Sequence, residues 1–207
     1  MTTAATHLEP RHLRADARRN RERILHAAGE VFGRCGAETQ MDDVARRAGV
    51  GVGTLYRHFP TKPALMGELV RQQVEGFVVH AREALSSDEP AFQALATFLR
   101  RNAEAVEADA ATRYAMGAGS AIWAAAERER EQLAPLMQEL IDRGQAEGAV
   151  REDLSLPDIP MIMCAIATSM DRGFDWRRLL ALVLDGIRAP SATPAAPAAP
   201  AGRVASG

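Results

Sequence analysis

The stretch MDDVARRAGVGVGTLYRHF, residues 41–59, restricts the fold more than any other part of the chain. A run with helical apolar spacing meets three alternating glycines, Gly49, Gly51 and Gly53, and leads into a second run carrying Leu55 and Phe59 four apart. Nucleotide-binding readings of the glycines fail on spacing. A phosphate loop needs GxxxxGK[ST] and a dinucleotide fingerprint needs GxGxxG, each after a β-strand. Here the positions five after Gly49 and Gly51 are Thr54 and Tyr56, and the preceding MDDVARRA reads as helix.

A closely crossed pair of helices does fit. Ala45 is small where two helices would touch, and Gly49, four residues on, can take positive φ in the turn. Val44, Ala48, Val50, Leu55 and Phe59 supply the inner faces. This favours a helix-turn-helix over its plainer alternative, an ordinary helical hairpin. In a helix-turn-helix the second helix enters the major groove. With Leu55 and Phe59 inward, Val52, Thr54, Tyr56, Arg57 and His58 are left facing out or to the side. Thr54, Tyr56 and His58 can donate to phosphates, and Arg57 can reach a phosphate or a guanine edge. Lys62 opens the next helix and is expected to pair with a backbone phosphate. Thr39 is expected to cap the first helix of the pair, with Asp42 three residues on, and is placed with the DNA-facing set. Arg18, Arg19 and Arg21 are expected to follow the flanking backbone or minor groove.

Charge points the same way. The chain of 207 residues has a net charge of −2, yet residues 11–62 sum to +5 and the remainder to −7. A basic block on an acidic body suits a polyanion at one end only, although a solvated surface of uneven charge would look similar.

The rest of the chain reads as all-α, nine helices or so and no strands. Alanine is plentiful and aromatic residues reach only 5%, a balance that favours helix. Helices are expected over 16–34, after Thr39, over 52–58, 62–85, 90–109, 112–126, 127–147, 158–171 and 175–188. In the first, Ile24, Ala28, Val31 and Phe32 form one face, and Gly36 ends it. The expected organisation is a flexible arm (1–13), a helix-turn-helix domain (14–61), a regulatory and dimerisation domain (62–188) and a disordered Ala/Pro-rich tail (189–207). No amino-terminal apolar segment resembles a signal peptide. The longest apolar run, MIMCAIA at 161–167, is far short of a membrane span of about 20 residues. A cytoplasmic protein without membrane contact is expected. Cys35 and Cys164 sit in apolar helical patterns and are expected to be buried free thiols. The five histidines show no metal-ligand spacing, and no metal or cofactor is expected. An enzyme on a helical scaffold has little support, since no Ser/His/Asp set or distinct carboxylate pair stands out.

From Arg14 to about Leu69 the chain resembles the DNA-binding domain of TetR-type repressors, through RILHAAGEVFGRCG and TQMDDVARRAGVGVGTLYRHFPTKPAL and their spacing. It follows the family pattern at Thr54, Leu55, Tyr56, His58, Phe59 and Lys62. It departs at Gly51 and Val52, where the family commonly has a Ser and a basic or polar residue. The resemblance implies an all-α homodimer that binds a double-stranded DNA operator and encloses a small-molecule pocket, with the last two long helices pairing between subunits. It implies a repressor released by a small apolar or amphipathic ligand; a DNA-binding regulator with no such effector is the alternative. Phe77, Phe98, Met116, Trp123, Met137 and Met163 are the pocket candidates, each of which would also serve as plain core. Met161, Ile162, Ala165, Leu179, Leu182 and Val183 are the candidates for the dimer interface.

Overall fold

The computed structural model describes residues 10–117 and 120–190, leaving the side chains of 10–14, 115–117, 120 and 121 aside. In chain order it contains α1 (Pro10–Cys35), a 3-10 turn (Gly36–Glu38), α2 (Met41–Ala48), α3 (Val52–His58), α4 (Lys62–Ser86), α5 (Ala91–Ala108) and α6 (Ala110–Gly117). Then follow α7 (Ser120–Trp123), a second 3-10 turn (Ala124–Ala126), α8 (Glu127–Ala146), α9 (Asp158–Asp171) and α10 (Trp176–Ile187). Among the described residues the only β pairing is an isolated bridge between Val150 and Arg188. The fold is all-α, as the periodicity requires. None of the described helices is long and apolar enough to cross a membrane.

Local differences from the sequence reading have physical causes. α1 begins at Pro10, six residues earlier than expected, since proline is well suited to a first helical position. Residues 10–13 are thus helical, and the rest of the expected arm lies outside the described residues, as does the tail beyond 190. The single helix expected over 112–126 is instead α6, α7 and a 3-10 turn. Thr39 does not cap α2. Gln40 holds the N-cap position, without a side-chain cap, while Thr39 is turned inward, its hydroxyl donating to the Val31 carbonyl at 3.4 Å. Neither cysteine is buried. Cys35 is the last residue of α1, and Cys164 follows Met163 on α9, where only Ile159, Met163, Ile166, Ala167 and Ser169 turn to the interior.

Two apolar cores are built, and α4 serves both. Ile24, Leu25, Ala28, Phe32, Val44, Ala45 and Leu55 of α1–α3, with Phe59 just past α3, close on Leu65, Met66, Leu69, Val70 and Val74 from the first half of α4. Farther along, Phe77, Ala81 and Ala84 join Leu95, Phe98 and Leu99 of α5, Met137 and Leu140 of α8, and Met163 and Ile166 of α9. Leu133 of α8 packs against both. α4 is therefore one continuous helical rod of 25 residues with an end in each core. Gly67 lets it approach the second 3-10 turn closely, because a Cβ there would lie 2.8 Å from that of Ala125.

Candidate nucleic-acid interface and cavity

The turn between α2 and α3 is made by Gly49, at φ 63° and ψ 38°. That left-handed conformation is readily adopted by glycine and strained for most other residues. The Val50 amide then donates back to the Ala45 carbonyl at 3.1 Å, so the fully buried Ala45 is both crossing point and turn acceptor. Gly51 caps α3, its carbonyl accepting from Thr54 at 2.8 Å and Leu55 at 3.1 Å. Arg47 of α2 pairs with Glu30 of α1 at 2.6 Å, and Arg23 of α1 donates to the Gly49 carbonyl at 3.1 Å. α3 is thereby held from behind.

Its other face is open. Val52 and Tyr56, one turn apart, are 42% and 43% exposed, and are the exposed large apolar side chains of α1–α3 among the described residues. Arg57 is exposed too, with its guanidinium donating to Thr54 Oγ1 at 2.9 Å and to the Gly53 carbonyl at 3.3 Å. Thr54 and His58 are half-buried at the flanks. Arg18 and Arg19 are exposed on α1, each with an acidic neighbour on the same helix, Glu22 and Asp16 respectively. Two members of the expected set are engaged elsewhere. Thr39, only 2% exposed, cannot meet a duplex, which corrects its assignment. Lys62 Nζ donates to the carbonyls of Ala37 at 2.7 Å and Thr39 at 2.9 Å, above the Phe32 ring at 5.3 Å. Lys62 is a clasp on the loop after α1, because that loop presents carbonyls that its 3-10 turn leaves unpaired.

A cavity of about 620 Å³ opens between α4, α5, α8 and α9. The structure brings five of the six pocket candidates to it: Phe77, Phe98, Trp123, Met137 and Met163. The side chain of the sixth, Met116, lies outside the described residues. Asn102, Cys164 and the charged side chains of Arg113, Glu127, Arg130, Glu131 and Asp171 also line the wall. Asn102 was legible as a polar interruption of the apolar stripe Leu95, Leu99, Val106, though it was not among the expected pocket residues.

Also unforeseen is a chain of ion pairs from the head to α8. Arg21 of α1 meets Glu68 of α4 at 2.8 Å, Glu68 meets Arg71 at 2.9 Å, and Arg71 meets Glu129 of α8 at 3.0 Å. Burial pushes the Glu68 carboxyl up, but the hydrogen bonds from Arg71 and Arg21 outweigh it and hold the group below its ordinary value. The Arg71 guanidinium, hydrogen-bonded to Glu68, is correspondingly raised. Glu129 does not itself line the cavity, but its sequence neighbours Glu127, Arg130 and Glu131 do.

The dimer candidates fall on one unpartnered region of the single chain. Met161 and Leu182 are 62% and 51% exposed, Ala165 is exposed, and Ile162, Leu179 and Val183 are half-buried against the second core. α10 is fixed by its Asp175 cap and by Glu107, which accepts from the Trp176 indole at 2.8 Å and from both ends of the Arg177 guanidinium. Those hydrogen bonds, Arg177 first, hold the Glu107 carboxyl below its ordinary value.

A helix-turn-helix head joined through one continuous helix to a cavity-bearing helical body defines a class of DNA-binding regulator, and known proteins of similar sequence and structure agree. Residues 24–69 match the family described as bacterial regulatory proteins, tetR family, and residues 90–189 match the SbtR-like transcriptional regulator C-terminal domain. A TetR transcription regulatory protein from Mycobacterium vanbaalenii is 35% identical and superposes with a TM-score of 0.59, over 85% of this chain and 99% of that one. A TetR transcriptional regulator from Streptomyces coelicolor is 31% identical, with a TM-score of 0.58, over 83% and 99%. An HTH-type transcriptional regulator of Staphylococcus aureus is 36% identical over 72 residues, 34% of this chain; the chain matches only 39% of the length of that curated relative. The chain belongs to the TetR family of helix-turn-helix transcriptional regulators. Its relatives are named as regulators and not as enzymes.

Proposed function

We propose that the protein is a cytoplasmic, homodimeric repressor that leaves its operator when a small apolar or amphipathic molecule enters the cavity. On this reading residues 14–61 read DNA, and 62–188 bind the effector and the second subunit. Val52, Thr54, Tyr56, Arg57 and His58 of α3 face the major groove, with Arg18 and Arg19 along the flanking backbone. Met161, Ile162, Ala165, Leu179, Leu182 and Val183 pair the subunits, because that much exposed apolar surface on two adjacent helices favours burial.

The observation that carries the reading is α4 itself. Val74 and Phe77 line the cavity, while Leu65 to Val74 are core to the head. A ligand that displaces the cavity wall must tilt the rod, and the rod carries the head. The ion-pair chain from Glu129 through Arg71 and Glu68 to Arg21 gives a second linkage of the same sense. In a dimer the separation of two α3 helices must match successive major grooves, about 34 Å apart, so a small tilt lowers affinity. Coupling of about 1–3 kcal/mol is usual for such linked sites, and it is reciprocal.

Fluorescence anisotropy on a labelled fragment from upstream of the protein's own gene tests this, with a panel of compounds added. Binding that one compound abolishes is expected. Binding to no genomic fragment would overturn the DNA reading. Binding indifferent to every compound, in a protein whose cavity is shown to be filled, would leave a regulator without a small-molecule effector.

A further inference from the structure

We infer that the cavity selects a largely apolar molecule carrying one uncharged hydrogen-bond acceptor, such as a ketone, ester or lactone carbonyl, and that Asn102 Nδ2 is the donor that recognises it. This rests on the effector reading above and adds the chemistry of the ligand. Asn102 is fully buried on α5, on a stripe otherwise made of Leu95, Leu99 and Val106, where an aliphatic side chain would be the default. Its Oδ1 lies 2.6 Å from His80 Nδ1. An amide oxygen only accepts, so His80 Nδ1 supplies the proton, and the amide is held with its NH2 turned away from the imidazole. That Nδ2 is buried and has no hydrogen-bond partner among the described residues. Buried donors are nearly always paired, and an unpaired one is unfavourable. Asn102 belongs to the cavity wall, so a ligand acceptor placed there would complete it.

Charge and size narrow the class. Two basic side chains, Arg113 and Arg130, line the cavity against three acids, Glu127, Glu131 and Asp171. Arg113 is already engaged by Asp171 at 2.6 Å and by the carbonyls of Val106 at 3.1 Å and Glu107 at 3.3 Å. Arg130 pairs with Glu127 at 3.0 Å. A carboxylate or phosphate at Asn102 would therefore be a buried anion without an uncommitted cation, which is strongly disfavoured. A cationic head offers Nδ2 only further donors. A neutral carbonyl satisfies it at no charge penalty, while Phe77, Phe98, Met137 and Met163 accommodate the apolar body. About 620 Å³ is within the usual range for sites that hold a whole small molecule.

Three C11 probes of equal length separate the possibilities: undecan-2-one, undecanoate and undecylamine. Each would be titrated against N-phenyl-1-naphthylamine fluorescence in the full-length protein. The ketone is expected to displace the dye at a concentration at least about tenfold lower than either charged probe. In Asn102→Leu that advantage should vanish while the dye still binds, with the helical circular dichroism retained. The wild-type series decides the ligand class even if the variant is unstable. A preference for undecylamine would place recognition on the cavity carboxylates, Glu131 above all, or on an amide turned about, and it overturns the inference, as does a preference for undecanoate. An undiminished ketone advantage in folded Asn102→Leu overturns the assignment of Asn102. A dye that binds with no ketone advantage defeats this inference alone. A dye that never binds defeats the effector cavity as well.

Discussion

Arg71 of α4 and Glu129 of α8 form an ion pair of 3.0 Å that joins the rod carrying the DNA-binding head to the helix that walls the cavity. Arg71 also holds Glu68, which in turn holds Arg21, so one guanidinium is the midpoint of a path between the two cores. Removing it would leave Glu129 without this partner and Glu68 with Arg21 alone, both with little solvent access. Arg71→Met is expected to lower stability by about 1–2 kcal/mol, less than a fully buried pair because the site is partly screened. Urea unfolding measures this. An Arg71→Met, Glu129→Gln double-mutant cycle, read on effector-induced release of DNA, measures how much of the coupling passes through the pair.

Glu68 sets a pH dependence of known sign. Its carboxyl is held below its ordinary value in the folded state. A depressed acid stabilises the fold fully above the unfolded value, and the contribution is lost as pH falls through the folded one. The urea midpoint should therefore drop as pH falls below the ordinary glutamate range, about 4.3. Glu68→Gln should flatten that part of the profile, and an unaltered slope in the variant would refute the assignment.

Lys62 should behave as a structural clasp. Its ammonium already serves the carbonyls of Ala37 and Thr39. Lys62→Met is expected to reduce stability by about 1–2 kcal/mol, since hydrogen bonds from charged donors are worth about 1.5–3. The salt slope of DNA binding should hardly change. Arg57→Ala, by contrast, should lower that slope by about one if the contact is to phosphate, or relax specificity at one base pair if it is to a base. A Lys62 variant that folds normally and loses a unit of slope would return this residue to the phosphate contacts.

A side chain at Gly49 is expected to cost stability. At φ 63° an alanine is strained, and its Cβ would lie 2.6 Å from Arg23 Nη2. The arginine tip can move aside, so the backbone accounts for most of the loss, about 1 kcal/mol. Gly49→Ala should show this in thermal unfolding, with a further fall in operator affinity because α3 is re-aimed.

The α9 and α10 face gives a test of assembly. Leu182→Glu places a charge on an exposed site of the single chain, where surface substitutions change stability by about 0.5 kcal/mol at most. Sedimentation velocity should show the wild type as a dimer and the variant as a monomer of unchanged fold. A wild type that stays monomeric at micromolar concentration would remove this face from the proposed interface.

What the chain determined by itself is whatever depends on neighbours within a few turns. Apolar spacing near 3.6 made helices almost everywhere. The Ala45 and Gly49 pair fixed the turn, and the inward Leu55 and Phe59 left Val52, Tyr56 and Arg57 outside, because side-chain direction on a helix follows from position alone. The tertiary structure decided what those directions meet. Thr39 and Lys62 looked free for DNA, yet one is buried under Val31 and the other reaches back 25 and 23 residues to loop carbonyls. Cys35 and Cys164 share an apolar pattern with buried neighbours but fall on its exposed edge. His80 and Asn102 lie 22 residues apart on different helices, and Arg71 and Glu129 lie 58 apart. Periodicity says which side of each helix faces inward, but not which helix it will face, and such pairings are decided only when the helices pack.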